Sequence, residues 1–284
     1  TPIADTEPSD SVNATPSPRT ANPAPTNFES VNASLKSHTP KIRLNTTLNC
    51  ISKPAIPADN SDNIFDISHF TNIELNGFQK AYDAGMRLVF HKATGGFRSV
   101  NLHDSKYAER RQPAENAGLL WGAYHFGNGY ETGINQAEGF LNFLKEKGGI
   151  KNTLMVLDYE PNEYWKIVDG KSVKQSYTDM NLEQARDFVT HIYNETGVYP
   201  GLYGAPNKLL HDLITERVPA DDILYKCWLW IASYNHPNRA PNLSKTHWNQ
   251  YAFWQYAADN TKPKAPPTAG MKTIVDRSYY NLNL

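Results

Sequence analysis

Two periods of apolar and polar residues take turns along most of this chain. Short apolar runs of strand length fall at residues 63–67, 87–92, 120–126, 154–158 and 199–203. Between the first two, Leu75, Phe78 and Tyr82 recur at helical spacing, and Gly85 ends the stretch. Between the third and fourth, Ala137, Phe140, Phe143 and Leu144 repeat that spacing ahead of Gly148 and Gly149. Before the fifth, Leu182, Ala185, Phe188, Val189 and Ile192 form another apolar face that stops at Gly197. Three further runs, at 227–232, 251–256 and 272–276, have less helical pattern between them.

Alternating strand and helix units predict an α/β fold with a parallel sheet and covering helices. Eight strands over roughly 220 residues fit an irregular TIM-like barrel that loses its regularity in the last third. The alternative is an open doubly wound sheet. Against it, no glycine-rich phosphate loop follows the first run.

Composition separates the first 60 residues from this pattern. They are rich in Pro, Ser, Thr, Ala and Asn, and of the 33 aromatic residues in the chain only Phe28 precedes Phe65. Such a segment buries too little apolar surface to offset the entropy of ordering it. The expected organisation is a disordered or extended low-complexity tail or linker over 1–60 and a barrel over 61–284. Residues 41–51 are the part of the tail that reads as able to dock as an extended piece.

Net charge is -1, from 28 basic and 29 acidic residues, which gives no electrostatic footprint for nucleic acid. No apolar run approaches a membrane span. Without a basic start followed by an apolar core, the chain reads as a processed, secreted mature protein. Cys50 and Cys227 fit no metal spacing. In an oxidising compartment they would pair and pin the tail to the barrel; otherwise they are two free thiols. Asn13, Asn32, Asn45, Asn194 and Asn242 each open a glycan-acceptor pattern that matters only in a secreted eukaryotic protein.

The candidate chemistry lies in Thr153-Leu-Met-Val-Leu-Asp-Tyr-Glu160. Alternate residues of a strand point the same way, so Asp158 and Glu160 project from one face at the strand's C-terminal end. Two carboxyls held that close cannot both ionise freely, and the protonated one can serve as an acid near neutral pH. That suits cleavage of a glycosidic bond. Barrel chemistry sits at the C-terminal strand ends. There the pattern also places Asp66, His91, Lys92, Tyr124, His125, Tyr203, Gln255 and Asp276. Lys92 reads equally as a substrate contact or as a neutraliser of the acids, and His125 as a locally bonded residue. Trp228, Trp230, Trp248 and Trp254, with Tyr234 and Tyr256, crowd the last third. Flat aromatic faces stack on sugars but also build cores.

Ordered blocks from residue 62 onward carry a family resemblance. They are Phe65-Asp-Ile-Ser-His-Phe70, Phe90-His-Lys-Ala-Thr-Gly95, residues 117–126, Leu157-Asp-Tyr-Glu160, Tyr199-Pro-Gly-Leu-Tyr203, Leu229-Trp-Ile-Ala-Ser-Tyr234, Phe253-Trp-Gln-Tyr256 and Val275-Asp276. In these the chain resembles the glycoside hydrolase family 25 muramidases, or Chalaropsis-type lysozymes. The resemblance implies five β/α units followed by mainly β elements. It also implies hydrolysis of the β-1,4 bond between N-acetylmuramic acid and N-acetylglucosamine in bacterial peptidoglycan, with retention.

By match to the family motif, Glu160 would be the general acid/base and Asp158 its partner, with Asp66 and Asp276 completing an acidic floor. Tyr124, Lys92, Tyr203, Trp230, Tyr234, Trp254 and Gln255 are the expected substrate contacts. No metal, cofactor or nucleic-acid partner is expected, and the working form is expected to be a monomer. Two departures stand out: Gly95 replaces the Glu that relatives often carry, and the stretch from Asn162 to Asp179 is long. The competing readings are a chitinase-like glycosidase, which also uses a strand-end Asp-x-Glu, and a wall-binding protein without catalysis.

Overall fold

The computed structural model describes residues 60–96, 102–234 and 239–281. Residues 1–59 of the proposed tail, with Cys50 and the acceptor patterns at Asn13, Asn32 and Asn45, lie outside the described residues. Eight strands close into a barrel: β1 (Asn60–Ile67), β2 (Leu88–Gly95), β3 (Leu120–Phe126), β4 (Thr153–Asp158), β7 (Gly201–Gly204), β8 (Trp228–Ala232), β9 (Phe253–Ala257) and β10 (Asp276–Asn281). From β1 through β2, β3, β4, β7 and β8 to β9, each neighbouring pair is parallel. β10 closes the ring antiparallel to both β9 and β1.

The last strand departs from expectation. The apolar run at 272–276 ends where β10 begins, so Asp276 opens a strand instead of finishing one. Because β10 runs backwards, its first residue sits at the end of the barrel where the parallel strands finish. The pairing of Asp66 with Asp276 across β1 and β10 fixes that position.

Helices α1 (Gly77–Asp83), α2 (Tyr107–Asn116), α3 (Gly133–Glu146), α4 (Leu182–Thr196) and α5 (His211–Thr215) lie in the connections. The apolar faces read for α3 and α4 are buried as expected. Thr132 caps α3 by accepting from the Asn135 N–H. Asn181 and Gln184 form a reciprocal capping box on α4, and Gly197 ends that helix in the left-handed region. Leu75 does not join α1: the helix starts after Asn76, and Leu75 is 87% exposed. α2 escaped the pattern because it buries Arg111 beside Tyr107 and Ala114. The Arg111 guanidinium donates to the carbonyls of Gly149 and Lys151 and pairs with Glu115, which satisfies the buried charge.

Two apolar layers hold the barrel. The outer one, between strands and helices, gathers Trp121, Phe140, Phe188, Leu202 and Trp254. The inner one fills the barrel with Phe90, Val156, Tyr203, Trp230, Phe253 and Tyr280. Gly122 is required inside: a Cβ there would lie 2.1 Å from the Phe90 ring, which stacks on Trp230 at 4.4 Å.

The long stretch after β4 folds into a separate hairpin, β5 (Glu163–Val168) and β6 (Lys171–Ser176). Asp169 and Gly170, both at positive φ, make its two-residue turn. β6 is almost wholly exposed, and Ile167 and Val168 are exposed to solvent at 68% and 41%. The base is fastened: Asn162 N donates to Asp179 at 2.7 Å, and the Gly129 N–H donates to the Thr178 carbonyl at 2.8 Å.

Candidate active site

Asp66, Tyr124, Asp158, Glu160, Tyr203, Trp230 and Asp276 line one cavity of about 100 Å³. Register explains the convergence. Lys92 pairs with Tyr124, Asp158 with Tyr203, and Tyr203 with Trp230, so these residues lie in neighbouring positions around the barrel. Asp66 and Asp276 face each other directly across the antiparallel seam.

Glu160 follows β4 by two residues and keeps the same facing as Asp158. Tyr159, between them, turns outward and is buried. Its hydroxyl donates to Asp212 at 2.7 Å, Lys208 bridges Asp212 and Asp179, and Asp179 accepts from the Asn162 N–H. This chain of contacts ties the residue between the two acids to the base of the hairpin. Its members lie too far apart in sequence for any local signal to have shown it.

Burial dominates the acidity of the cavity. It lifts the Glu160 carboxyl to about 7, with help from the charge of Asp276 and against the pull of Lys92. Asp158 was the expected cause, but burial and Asp276 supply the larger effects. Asp158 is itself pushed well above the ordinary carboxylate range by burial and then by Glu160, and Lys92 opposes this. The Lys92 charge favours the ionised form of both acids, and of the two it feels Asp158 more strongly than Glu160. The Lys92 ammonium lies 4.9 Å from the centre of the Phe126 ring and makes no ion pair within 4 Å among the described residues. It therefore acts through space. Asp276 is raised to about 6, chiefly by burial, and Asp66 well above its usual range by burial and Asp276.

The other expected residues divide. Trp230 lines the cavity, with its indole N–H donating to Ser278 Oγ at 3.0 Å. Tyr234 and Gln255 lie alongside and are bonded to each other. Gln255 is buried at 2% exposure. Trp254 is placed elsewhere: it is fully buried in the outer layer, donating to the Ser233 carbonyl at 2.7 Å. Neighbouring residues on a strand face opposite sides, so Trp254 and Gln255 cannot both point inward. That parity was available in the sequence.

His125 also faces outward, held between Thr94 Oγ1 at 2.7 Å and Gln136 Oε1 at 3.0 Å, and burial pushes its pKa down to about 4. Two further residues touch this network and carried no signal in the pattern: Ser278, and Asp259, whose backbone N–H bonds Asp276. Cys227 is buried and its thiol is shifted up by desolvation. Asn194 and Asn242 are exposed.

The model of the family described as "Glycosyl hydrolases family 25" matches residues 65–264. Lysozyme M1 of Streptomyces globisporus is 26% identical over 243 residues, covering 79% of this chain and 70% of that protein. Among solved structures, a muramidase from Acremonium alcalophilum superposes with a TM-score of 0.52 at 27% identity, covering 76% of this chain and 92% of that one. A bacterial lysozyme from Streptomyces coelicolor reaches a TM-score of 0.58 at 24% identity over 78% of this chain and 93% of that one, a likeness of fold. Since the family model spans most of the chain, this protein belongs to glycosyl hydrolase family 25 and is a glycoside hydrolase of the lysozyme, or muramidase, type.

Proposed function

We propose that this enzyme cleaves the β-1,4 bond between N-acetylmuramic acid and N-acetylglucosamine, working on wall material outside the cell, with Glu160 as general acid/base. The observation that carries the proposal is the convergence of Asp66, Asp158, Glu160 and Asp276 on one small cavity beside the partly buried ammonium of Lys92.

Glu160, with its carboxyl lifted to about 7, gives its proton to the glycosidic oxygen as the C1–O bond breaks and the electron pair leaves with that oxygen. Positive charge builds on the sugar ring. The carbonyl oxygen of the 2-acetamido group closes onto C1 from the opposite face, forming a cyclic oxazolinium. Asp158 accepts a hydrogen bond from the acetamido N–H and balances the new charge. In support, Asp158 Oδ1 is buried with no hydrogen-bond partner among the described residues. Water then attacks C1 as the oxazolinium C1–O bond breaks and its electron pair returns to the acetamido oxygen, Glu160 takes the water's proton, and the configuration is retained. Substrate-assisted enzymes depart from the usual two-carboxylate scheme in this way. The Tyr124 hydroxyl borders the cavity and has no protein partner among the described residues, so it is free to donate to the sugar.

Mass analysis of fragments released from purified bacterial walls tests the reading. Products ending in reducing muramic acid are expected from the wild type and not from Glu160→Gln. Release by that variant at a near wild-type rate would remove Glu160 from the role. Recovery of a glycosyl ester on Asp158 would replace the acetamido route with direct attack.

A further inference from the structure

Gln255 has both ends of its amide committed, and to opposite kinds of group. Nε2 lies 2.8 Å from Asp66 Oδ2 and 3.4 Å from Asp276 Oδ2. Oε1 accepts the Tyr203 hydroxyl at 2.7 Å and also the Tyr234 hydroxyl. These partners fix which way the amide points. Turned over, Oε1 would meet carboxylate oxygens, which offer only lone pairs when ionised. The residue is too deeply buried, at 2% exposure, for a sugar to reach it without displacing these bonds.

Asp66 and Asp276 are direct cross-strand partners, an arrangement in which like charges repel. Gln255 is the side-chain donor they share. Ser278 of β10 and Ala232 of β8 flank it in the ladder, so its backbone is held from both sides.

We propose that Gln255 is a positioning residue. Its amide holds Asp66 and Asp276 together as one negatively charged pair facing Glu160, and it occupies the hydroxyls of Tyr203 and Tyr234 so that Tyr124 is left to meet the sugar. The inference rests on Glu160 being the acid, but Gln255 itself touches no reacting atom. The charged and titratable groups around the pair come from every wall. They are Glu160 and Asp158 from β4 and its extension, Lys92 from β2, and Asp259 after β9. Burial holds the hydroxyls of Tyr124, Tyr203 and Tyr234 protonated far above neutrality. Hydrogen bonding to Gln255 favours the ionised form of Asp66. Without it the pair carries less negative charge at a given pH, and Glu160 gives up its proton more readily.

Two substitutions separate this role from packing. Gln255→Met keeps the length and loses donor and acceptor at every pH. Gln255→Glu can copy the amide only while protonated, donating from one oxygen and accepting the tyrosine hydroxyls at the other. Rates on purified peptidoglycan are measured against pH with KM and kcat resolved, and the carboxyl groups of the free protein are titrated by 13C NMR.

For Gln255→Met, kcat is expected to fall about 10- to 100-fold with KM nearly unchanged, and the basic limb to move down by about half a pH unit or more. In the NMR titration, Asp66 and Asp276 should hold their protons to higher pH. Gln255→Glu should recover activity on the acid side only. If Gln255→Met does not fold, this acid-side recovery decides alone. Unmoved carboxyl titrations, or a uniform loss of rate with the wild-type pH profile, would overturn the proposal. A rise in KM at constant kcat would instead make Gln255 a substrate contact. A wild type with no activity on walls would defeat the functional reading, and the NMR titration would still judge Gln255.

Discussion

Strands β1 to β4 all run toward the acidic cavity and are separated by helices, whereas β8 to β10 close the barrel with almost no helix between them and with one strand reversed. The first region delivers its chemistry at strand ends. Asp66 and Asp158 sit at or beside the last residue of a parallel strand and Glu160 two residues past one, so the barrel aims their side chains at the cavity. The closing region delivers its chemistry from within. Gln255 lies in mid-strand, and Asp276 opens an antiparallel strand whose direction brings its start to the cavity. The groups expected to react thus come from the regular region, while the irregular one supplies the neighbours that set their charge.

The sharpest way to break this comparison is to remove a group from each region. Glu160→Gln should lower the rate on walls by about 10³-fold or more while the protein stays folded, because it takes the transferable proton away. Asp276→Asn should cost less, about 10-fold, and should act through acidity. Asp276 is the charge that, after burial, raises Glu160, so without it Glu160 falls below about 7 and the basic limb of the pH–rate profile moves to lower pH. An unchanged limb would mean that the closing strand does not tune the acid.

A stability measurement sharpens the same contrast. Glu160 holds its proton more tightly in the folded protein than in the unfolded chain, so stability is lost as pH rises from the ordinary carboxylate range to about 7, and is level above that. Glu160→Gln is therefore expected to raise stability at pH 8 by about 1–2 kcal/mol, a figure reduced from the full shift because the residue is partly open to the cleft. At pH 4 it should be nearly neutral. Equal thermal midpoints for the two proteins at both pH values would contradict the burial account. The smallest effect belongs to the hairpin. Ile167→Ser and Val168→Ser, on strands exposed to solvent, should each change stability by no more than about 0.5 kcal/mol in denaturant unfolding.

Much of the regular region was legible beforehand. The apolar faces of α3 and α4, the first four strands and the shared facing of Asp158 and Glu160 all follow from periods of 3.6 and 2. Where the signal failed, a local exception stood in the way. α2 hides an arginine on its inner face, Leu75 is cut off from α1 by the turn at Asn76, and the hairpin after β4 buries too little to show a period. Trp254 was read as a sugar contact on composition, against the parity of its own strand.

What the sequence determined by itself is therefore which side of each segment faces the core and which carboxyls leave the β4 strand together, because those depend on neighbours a few residues apart. Only the tertiary structure decided the reversal of β10, the meeting of Asp66 with Asp276, and the capture of Gln255 between two acids and two tyrosines. Those contacts span up to roughly the whole barrel in sequence. They exist because closing a ring of eight strands forces its first and last members together, and nothing local in either segment encodes which partner the closure will supply.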